Sequence, residues 1–415
     1  MSPTAKKPPF IRKLLHRCET EGNIFFIDPQ NTTLGIFDPT VAKQINSDNY
    51  NDLTIPEKLS DQIKGQIGCP FSWATIRDAW QKAMQHPLQA NELTKLTEHM
   101  SQLIDKQLSK EINLVSLSQE VIAQSLLPII ITNLSNKQIK SLLQDQQNKI
   151  KHFTIENPQP ETFWQSLLSA FIQIRAANSV RQELRDRNKQ IKPRQNDLLD
   201  PIVDMLPHLG IDRAIDAGTM ILTAISGPPG AAASCLLYEL CVKENWKHKL
   251  QEELTHIELS TLLKSPTKAA PITYRFVKEV LRKWSPPVIT NREVRTDIDI
   301  NIGNEKQTLK EGQQYVFSAY FIHHNTEYWP EPDRFDPDRW LPGAKNGPLK
   351  RGSYIPFGWS PKSCVGQTLG TYQLIIFTYL MCTQYHIQID KPDNIEMVLA
   401  AMPLPLHFNG QINKR

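Results

Sequence analysis

One cysteine in this chain lies where a sulfur atom is well placed to bind a metal. Cys364 ends a loop rich in Pro, Gly and Ser, and the apolar stretch after it predicts a final helix. Backbone N–H groups at a helix N-terminus stabilise an anion, so the thiol is expected to favour its thiolate form. A thiolate there is a natural axial ligand for haem iron. On this segment alone, a buried cysteine that binds nothing is an equally good interpretation.

Two charged motifs precede this cysteine. Glu279 and Arg282 are three residues apart in a helical pattern, so both lie on one helix face and can form an ion pair. Residues 329–340 follow, and their prolines exclude a regular helix or strand, so side chains must fix the segment. Because a planar guanidinium binds carboxylates well, Arg334 is predicted to close a network with that pair.

The composition is that of a globular protein. Of the 415 residues, 40% are hydrophobic and 22% are charged. Basic and acidic residues nearly balance, and a net charge of +4 is too small to indicate a nucleic-acid-binding protein. The six cysteines show no paired spacing, which indicates a reducing compartment, so we expect a cytoplasmic location. We expect no membrane anchor, because the one uncharged run of sufficient length, residues 217–238, contains Ser-Gly-Pro-Pro-Gly and fits a buried helix better.

Helical periodicity dominates the middle of the chain. Two short β-rich runs around an Asp-Pro-Gln-Asn turn predict a hairpin at 23–37, and Asp38-Pro39 predicts a capped helix after it. Strand-like alternation appears at Val288-Ile289, 298–300 and 315–317. The predicted helices cover about 72–86, 90–109, 112–131, 136–150, 160–192 and 211–243, with a last one from Cys364. The sequence therefore predicts a mainly α fold with a small β-region.

Taken together, the motifs resemble the cytochrome P450 family. An ExxR helix, a Pro-Asp-Arg-Phe segment and a loop with Phe357, Cys364 and Gly366 at the family's spacing occur in the family's order. The resemblance covers nearly the whole chain. It implies the cytochrome P450 fold as a single domain over 1–415, with haem b bound through Cys364 as the axial ligand.

The resemblance also implies partners for the haem propionates. Trp73 and Arg77 match the family's W-x-x-x-R, whose indole and guanidinium bind one propionate. Arg292, after the ExxR helix, and Lys362, where the family has His or Arg, are the other expected cations. A buried carboxylate must be paired, so three cations for two propionates is a sensible number.

The chain departs from the family pattern in two places. Ser360 stands where the loop usually has glycine, so its turn must be built differently. In the central helix, Gly227 takes the place of the acid, and Pro228 and Pro229 take the places of the alcohols, that relay protons for dioxygen activation. Prolines donate no proton and kink a helix, which leaves Ser226 as the nearest hydroxyl. The alternative is an alignment one turn away, with Ser226 or Thr223 in the relay.

The missing relay favours a reaction that inserts no oxygen. The expected substrate is a small organic molecule that contacts Ile225, Val288 and Ile289. We expect oxidative coupling of phenols in natural-product synthesis, in which no oxygen enters the product. The alternatives are a conventional monooxygenase supplied with protons by substrate or water, a peroxide-using peroxygenase, and a haem protein that senses or stores.

The expected electron donors are a ferredoxin and its reductase, and the chain is expected to be a monomer. An acidic ferredoxin would dock on the basic residues Lys345, Lys350, Arg351 and Lys362. His323 and His324 are not expected to hold a second metal, because adjacent residues of a strand point to opposite faces. A structural role is expected for His323.

Overall fold

The computed structural model describes residues 5–54, 73–154, 162–303, 305–360 and 363–415. These residues form two compact units, each assembled from separate stretches of the chain. The mixed unit lies within 5–54, 275–367 and 396–403, and the helical unit lies within 73–274, 368–395 and 404–415. The single domain over 1–415 stays a prediction, as does the role of Lys362, which lies outside the described residues.

A five-stranded sheet is the centre of the mixed unit. Its strands, in spatial order, are Ile24–Phe26, Thr33–Ile36, Gln314–Phe317, Thr290–Val294 and Leu53–Thr54. The first two are antiparallel, with Ile24 opposite Ile36, so the predicted hairpin is confirmed. Alternate residues of such strands face the core, and the buried side chains of the sheet pack with aromatic residues from the Pro-rich segment.

Helices and a second hairpin complete the mixed unit. Asp38 caps a helix by accepting from the N–H groups of Thr40 and Val41, as predicted from its position before Pro39. The ExxR helix begins at Pro271 and belongs to this unit from Arg275 onward. The elements are the helices Pro9–Glu21, Pro39–Asp48, Pro271–Lys283 and Ala319–His324, the 3-10 turn Pro337–Trp340, and the strands Ile298–Ile302, Glu305–Leu309 and Glu396–Leu399.

The helical unit follows the predicted boundaries to within a few residues for its first helices. Its helices are Trp73–Ala83, Ala90–Asp105, Leu114–Ile130, Asn136–Thr154, Phe163–Asn188, Asp200–Asp204, Leu206–Ser226, Pro228–Val242, Glu244–Thr255, Leu259–Lys264, Pro266–Ala269 and Gln367–Thr383. A three-stranded antiparallel sheet of Glu111–Asn113, Asn409–Lys414 and Tyr385–Ile389 closes the unit, and the strand Pro403–Leu406 precedes it. The mainly α fold with a small β-region is therefore confirmed.

Three boundaries differ from the predictions. Val288 and Ile289 lie before the strand that begins at Thr290, not within it. The last helix begins at Gln367, so Cys364 lies in the loop before its first turn. The predicted single helix over 211–243 is two helices, because Pro228 and Pro229 cannot continue the hydrogen bonds of the first one.

We call these two helices, Leu206–Ser226 and Pro228–Val242, the central helix pair. Within the described residues the pair is the one stretch apolar and long enough to cross a membrane, but 61% of its most apolar window is buried inside the protein. Burial of this kind is typical of a core helix, as the sequence suggested.

Candidate functional site

The loop that carries Cys364 is held by main-chain hydrogen bonds. The N–H of Cys364 donates to the carbonyl of Phe357 over 2.7 Å, which brings the two ends of the loop together. Gly358 adopts a left-handed φ of +74°, a conformation that favours glycine. The tight turn is therefore made at Gly358. Ser360, two residues later, occupies the position at which the family usually has glycine.

Cys364 differs from the other described cysteines in its surroundings. It is exposed, and a Cβ atom built on Gly366 would lie 3.8 Å from its Sγ atom, so Gly366 flanks the thiol. Burial raises the pKa of Cys241 and Cys382 to about 12, and it also raises the pKa of Cys235. Burial also raises the pKa of Cys18 to about 12, so these four groups stay protonated at neutral pH. Among the described cysteines, Cys364 is the exposed one, whose sulfur can reach a ligand.

Arg292 supplies a charge that fits an anionic group. Its side chain is half-buried, and burial lowers the pKa of its guanidinium. Its Nη1 atom donates to the carbonyl of Asn291 over 2.9 Å, and its Cζ atom lies 5.8 Å from the ring of Phe317. No carboxylate of the described residues forms an ion pair with it. A desolvated guanidinium without an acid partner fits a carboxylate such as a haem propionate, which is the role expected for it.

The ExxR pair is a buried ion pair of good geometry. Arg282 donates from Nε to one oxygen of Glu279 over 3.0 Å and from Nη2 to the other over 2.9 Å. Both side chains have 0% exposure. The remaining Arg282 donors bind the carbonyls of His323 and Arg334. A buried ion pair with its other groups satisfied fixes a geometry, here between a helix and an irregular segment.

The third member of this network is Arg339, and the prediction for Arg334 was wrong. The Arg334 side chain is 60% exposed and pairs with Glu331 and Asp336 instead. Arg339 has 0% side-chain exposure, and its Nε donates to Glu279 over 3.0 Å. Arg334 still contributes, because its carbonyl accepts from both buried guanidinium groups.

The sequence offered both arginines equally well. Residues 332–335 read Pro-Asp-Arg-Phe and residues 337–340 read Pro-Asp-Arg-Trp. A signal for the second was available in Asp336 before Pro337, the pattern of a capped turn. Asp336 does cap the 3-10 turn at 337–340, and that turn directs Arg339 inward.

His323 connects the ExxR helix to the segment that leads into the cysteine loop. Its Nε2 atom accepts from the N–H of Ile355 over 2.9 Å, so the proton of the neutral ring is on Nδ1, which faces the carbonyl of Arg282 at 2.9 Å. Burial and the Arg282 charge lower the pKa of His323 to about 3. These contacts agree with the predicted structural role. The two histidines lie on the helix Ala319–His324, not on a strand, which corrects the reason given for excluding a shared metal.

The helical unit holds Arg77, the other described residue that is expected to bind a propionate. Arg77 is buried, with 8% exposure, and its Nη1 donates to Gln81 over 3.2 Å. Trp73 begins the same helix, so the two residues are one turn apart as the W-x-x-x-R pattern requires. The expected propionate contacts of Trp73 and Arg77 stay predictions.

At the break in the central helix pair, the described hydroxyl groups donate to carbonyls of their own helix and not to its surroundings. Gly227 separates the helices, and Pro228 and Pro229 begin the second one. Ser226 is buried and its hydroxyl donates to the carbonyl of Leu222 over 2.7 Å. Thr223, the alternative relay residue, likewise donates to Thr219 over 2.9 Å. Either hydroxyl would have to leave its own helix to pass a proton on.

The expected substrate residues lie in both units. Val288 is buried in the mixed unit, where its N–H donates to Ala401 over 3.1 Å and its carbonyl accepts from Ser318. Ile289, next to it, is half-buried, and so is Ile225 in the helical unit. Ile225 and Ile289 are therefore partly accessible to a ligand. Val288 is instead buried among residues of the mixed unit.

Comparisons with known proteins agree with these features. A family model described as Cytochrome P450 matches residues 68–407. The chain is 35% identical over 170 residues to a cytochrome P450 monooxygenase of Emericella nidulans, a match that covers 40% of this chain and 30% of that protein. It is 28% identical over 167 residues to the human ultra-long-chain fatty acid omega-hydroxylase, covering 38% and 30%. The chain thus matches less than half the length of these curated relatives.

Solved structures give the same result for the fold. A cyanobacterial cytochrome P450 with bound retinoic acid superimposes with a TM-score of 0.77 at 16% sequence identity, covering 96% of this chain and 93% of that one. This likeness shows that the chain shares the fold of that protein. With a family model that matches well over half of its length, the chain belongs to the cytochrome P450 family.

Proposed function

We propose that this chain is a haem-thiolate oxidoreductase with Cys364 as the axial ligand of haem b. The observation that carries the proposal is the exposed thiol of Cys364 at the end of its loop. The segment that leads into this loop is held by His323, which binds Ile355, and by the buried Glu279 network. Arg292 supports it with a half-buried guanidinium that meets no acid among the described residues. When bound, the haem supplies oxidation by activated dioxygen, and the thiolate supplies electron density to the iron.

The test is a spectrum of the reduced protein under carbon monoxide. Wild type is expected to give the long-wavelength Soret band of a thiolate-bound haem, and Cys364→Ala is expected to lose it. Cys18→Ala is the matched control, because Cys18 is a half-buried cysteine on the first helix of the mixed unit. A Cys364→Ala protein with an unchanged band would overturn the proposal.

We further propose that the substrate is a small phenolic or related aromatic molecule and that the reaction is oxidative coupling without oxygen insertion. The support is the absence of an outward proton donor at the break in the central helix pair, where Ser226 is bound to Leu222. Coupling removes one electron and one proton from each of two phenols. Together with two electrons from the redox partner and two protons from solvent, these reduce dioxygen to two water molecules, so no oxygen atom enters the product. Turnover under labelled dioxygen tests this, since label in the product at full stoichiometry would contradict coupling.

A conventional monooxygenase is the second candidate, because relatives of this chain carry that name. In that case the substrate or ordered water would have to supply the protons that Pro228 and Pro229 cannot. A peroxygenase is the third, and it is less well supported, because neither proline nor Gly227 offers a polar side chain to a peroxide. Turnover with reduced ferredoxin, compared with turnover driven by peroxide, separates the two.

We propose a ferredoxin and its reductase as electron donors, a cytoplasmic location and a monomeric state. Lys345 and Arg351 are exposed in the mixed unit and supply positive charge for an acidic partner. Lys350 is already paired, 3.2 Å from a carboxylate oxygen of Asp38, so it contributes less than expected. Charge reversal of Lys345 and Arg351 is expected to slow reduction by ferredoxin and to weaken its salt dependence, whereas unchanged kinetics would contradict this docking surface.

A further inference from the structure

The break in the central helix pair leaves main-chain oxygen atoms without their helical partners. In a continuous helix, the N–H of residue i donates to the carbonyl of residue i−4. The donors for Ala224 and Ile225 would therefore be residues 228 and 229, and both are proline, which has no N–H. Beyond the hydrogen bonds within helices, none among the described residues ends on these two carbonyl oxygens.

The hydroxyl groups nearby do not compensate for the missing donors. Ser226 donates to Leu222, and Thr223 donates to Thr219, each within the preceding turn. Thr219 does the same, with its hydroxyl 3.0 Å from the carbonyl of Ile215. Every one of these hydrogen atoms is committed, so the segment offers acceptors and no side-chain donor to its surroundings.

The position of these acceptors is fixed by packing. A Cβ atom on Gly218 would lie 2.8 Å from a methyl group of Val180, and one on Gly230 would lie 2.9 Å from the Cα atom of Gln119. Both helices of the pair are thus in close contact with neighbours in the helical unit, on either side of the break. One helix cannot shift along its axis to bring other N–H groups to these carbonyls unless the neighbouring residues that it contacts also move. The packing of the helical unit therefore maintains the break.

The break is also accessible and electrostatically biased. Ala224 is exposed and Ile225 is half-buried, although the pair is otherwise mostly buried. The first helix ends here, and the C-terminal end of a helix carries a partial negative charge of about half an electron. The second helix would oppose this with its first N–H groups, but prolines occupy its first two positions. A group that donates a hydrogen bond is therefore favoured at this place.

We propose that the carbonyl oxygens of Ala224 and Ile225 form a recognition site for a hydrogen-bond donor on the substrate, so that the protein selects aromatic molecules with a free O–H or N–H over their methylated forms. The proposal rests on the proposed function, because that function places substrate against this segment. It deepens that function by stating which feature of a phenol or indole the chain recognises. A methylated ligand bound at this place would exclude water from the acceptors without supplying a donor, which costs binding.

Binding of matched pairs tests this site. Equilibrium dialysis compares phenol with anisole and indole with N-methylindole, so the readout is binding to the haem-loaded protein and not activity. Wild type is expected to prefer the donor of each pair by about tenfold, the usual effect of one hydrogen bond that is made or left unmade in a desolvated site. Pro228→Ala with Pro229→Ala restores both N–H groups, and the preference is expected to fall to about twofold or less.

Pro9→Ala is the matched control, because Pro9 also begins a helix but is exposed in the mixed unit. It is expected to keep the wild-type preference. If the double variant does not fold, Pro229→Ala alone, which restores the donor to Ile225, decides the matter by an intermediate loss of preference. Equal preference in variant and wild type, or no binding of either member, would overturn the inference. A wild type that lacks the carbon monoxide band but keeps the preference would instead contradict the haem-thiolate assignment alone.

Discussion

The Nε atom of Arg339 lies 3.0 Å from the Oε1 atom of Glu279, and neither side chain is exposed to solvent. Arg282 holds the same carboxylate from within the ExxR helix. Glu279 thus connects a regular helix to a segment whose prolines exclude the regular main-chain hydrogen bonds of a helix or strand. Burial lowers the pKa of Arg339, and the acid opposes that effect. Removing Arg339 would leave the buried carboxylate one partner short, and removing Glu279 would leave two buried guanidinium groups without their acid.

Arg339→Ala is therefore expected to be strongly destabilising. It removes one guanidinium from the Glu279 carboxylate and leaves three main-chain carbonyls without this donor, those of Pro330, Glu331 and Asn346. Breaking a buried ion pair costs about 3–5 kcal/mol, so a large fall in the urea midpoint is expected, together with loss of haem on purification.

Arg334→Ala is the matched control for that change. Its side chain is 60% exposed and its carbonyl, which the network uses, survives the substitution. An exposed ion pair is worth less than about 1 kcal/mol, so a small shift is expected. Equal effects of the two substitutions would contradict the assignment of Arg339 to the network.

This exchange of arginines shows what the sequence can and cannot determine. The spacing of Glu279 and Arg282 was enough to predict the pair, because helix geometry alone brings them together. The third partner comes from irregular chain, and two arginines with nearly identical neighbours were available there. Only the cap of the short turn at 337–340 decides between them, and its direction depends on packing that a single sequence does not contain.

The stability of the protein is expected to depend on His323 below neutral pH. Its pKa is about 3 in the folded chain, where burial and Arg282 disfavour the charged ring, against an ordinary value of 6.5. Its contribution is complete above pH 6.5 and is lost progressively as the pH falls towards 3, because the unfolded chain takes up the proton first. In the middle of that window, about one pH unit or more below 6.5, the free energy of unfolding should fall by about 1.4 kcal/mol per pH unit for each such histidine.

Urea unfolding at pH 5.0 to 7.5 measures this dependence. His323→Leu is expected to be less stable at pH 7.5, since the N–H of Ile355 loses its acceptor, and to have a shallower dependence on pH. Part of the slope should remain, because the pKa of His324 is also lowered well below its usual value. The control is His16→Leu, an exposed residue on the first helix, and a His323→Leu slope equal to that of wild type would argue against this account.

Arg292 is expected to affect how long the haem stays bound. Arg292→Gln removes a half-buried guanidinium that no acid of the described chain neutralises. If a propionate is its partner, loss of a charge-assisted hydrogen bond should speed haem release by about tenfold. Transfer of haem to apomyoglobin measures the rate directly. Arg295→Gln, directly after the same strand, is the control, and similar rates in all three proteins would exclude Arg292 as a propionate partner.

The departure in the central helix pair could be predicted because proline has one clear physical effect. The sequence predicted a kink and the loss of N–H donors at Pro228 and Pro229, and the structure has a break there. The fate of Ser226 could not be predicted, since a serine in a helix can point outward or donate to its own backbone. The structure has the second arrangement, which removes the one hydroxyl considered as a substitute.

Restoring the missing proton relay is the sharpest test of the proposed chemistry. Gly227→Asp with Pro228→Thr places an acid and an alcohol at the positions that the family pattern assigns to them. The threonine also returns an N–H to the carbonyl of Ala224, which should make the first helix continue by one turn. A donor that is supplied by the protein removes the need for protons from the substrate, so oxygen insertion should become competitive with coupling.

Mass spectrometry of products made under labelled dioxygen gives the outcome as a ratio of oxygenated to coupled product. A proton-transfer group typically contributes about 10²–10⁴-fold to a rate, so even a partly effective relay should raise this ratio at least tenfold over wild type. Gly227→Ala with Pro228→Ala restores the helix without the relay and should leave the ratio near the wild-type value. If the alanine variant raised the ratio as much as the acid–alcohol variant, helix geometry and not proton supply would control the reaction. The chemistry proposed from Pro228 and Pro229 would then be wrong in its cause, although the break itself would remain the controlling feature.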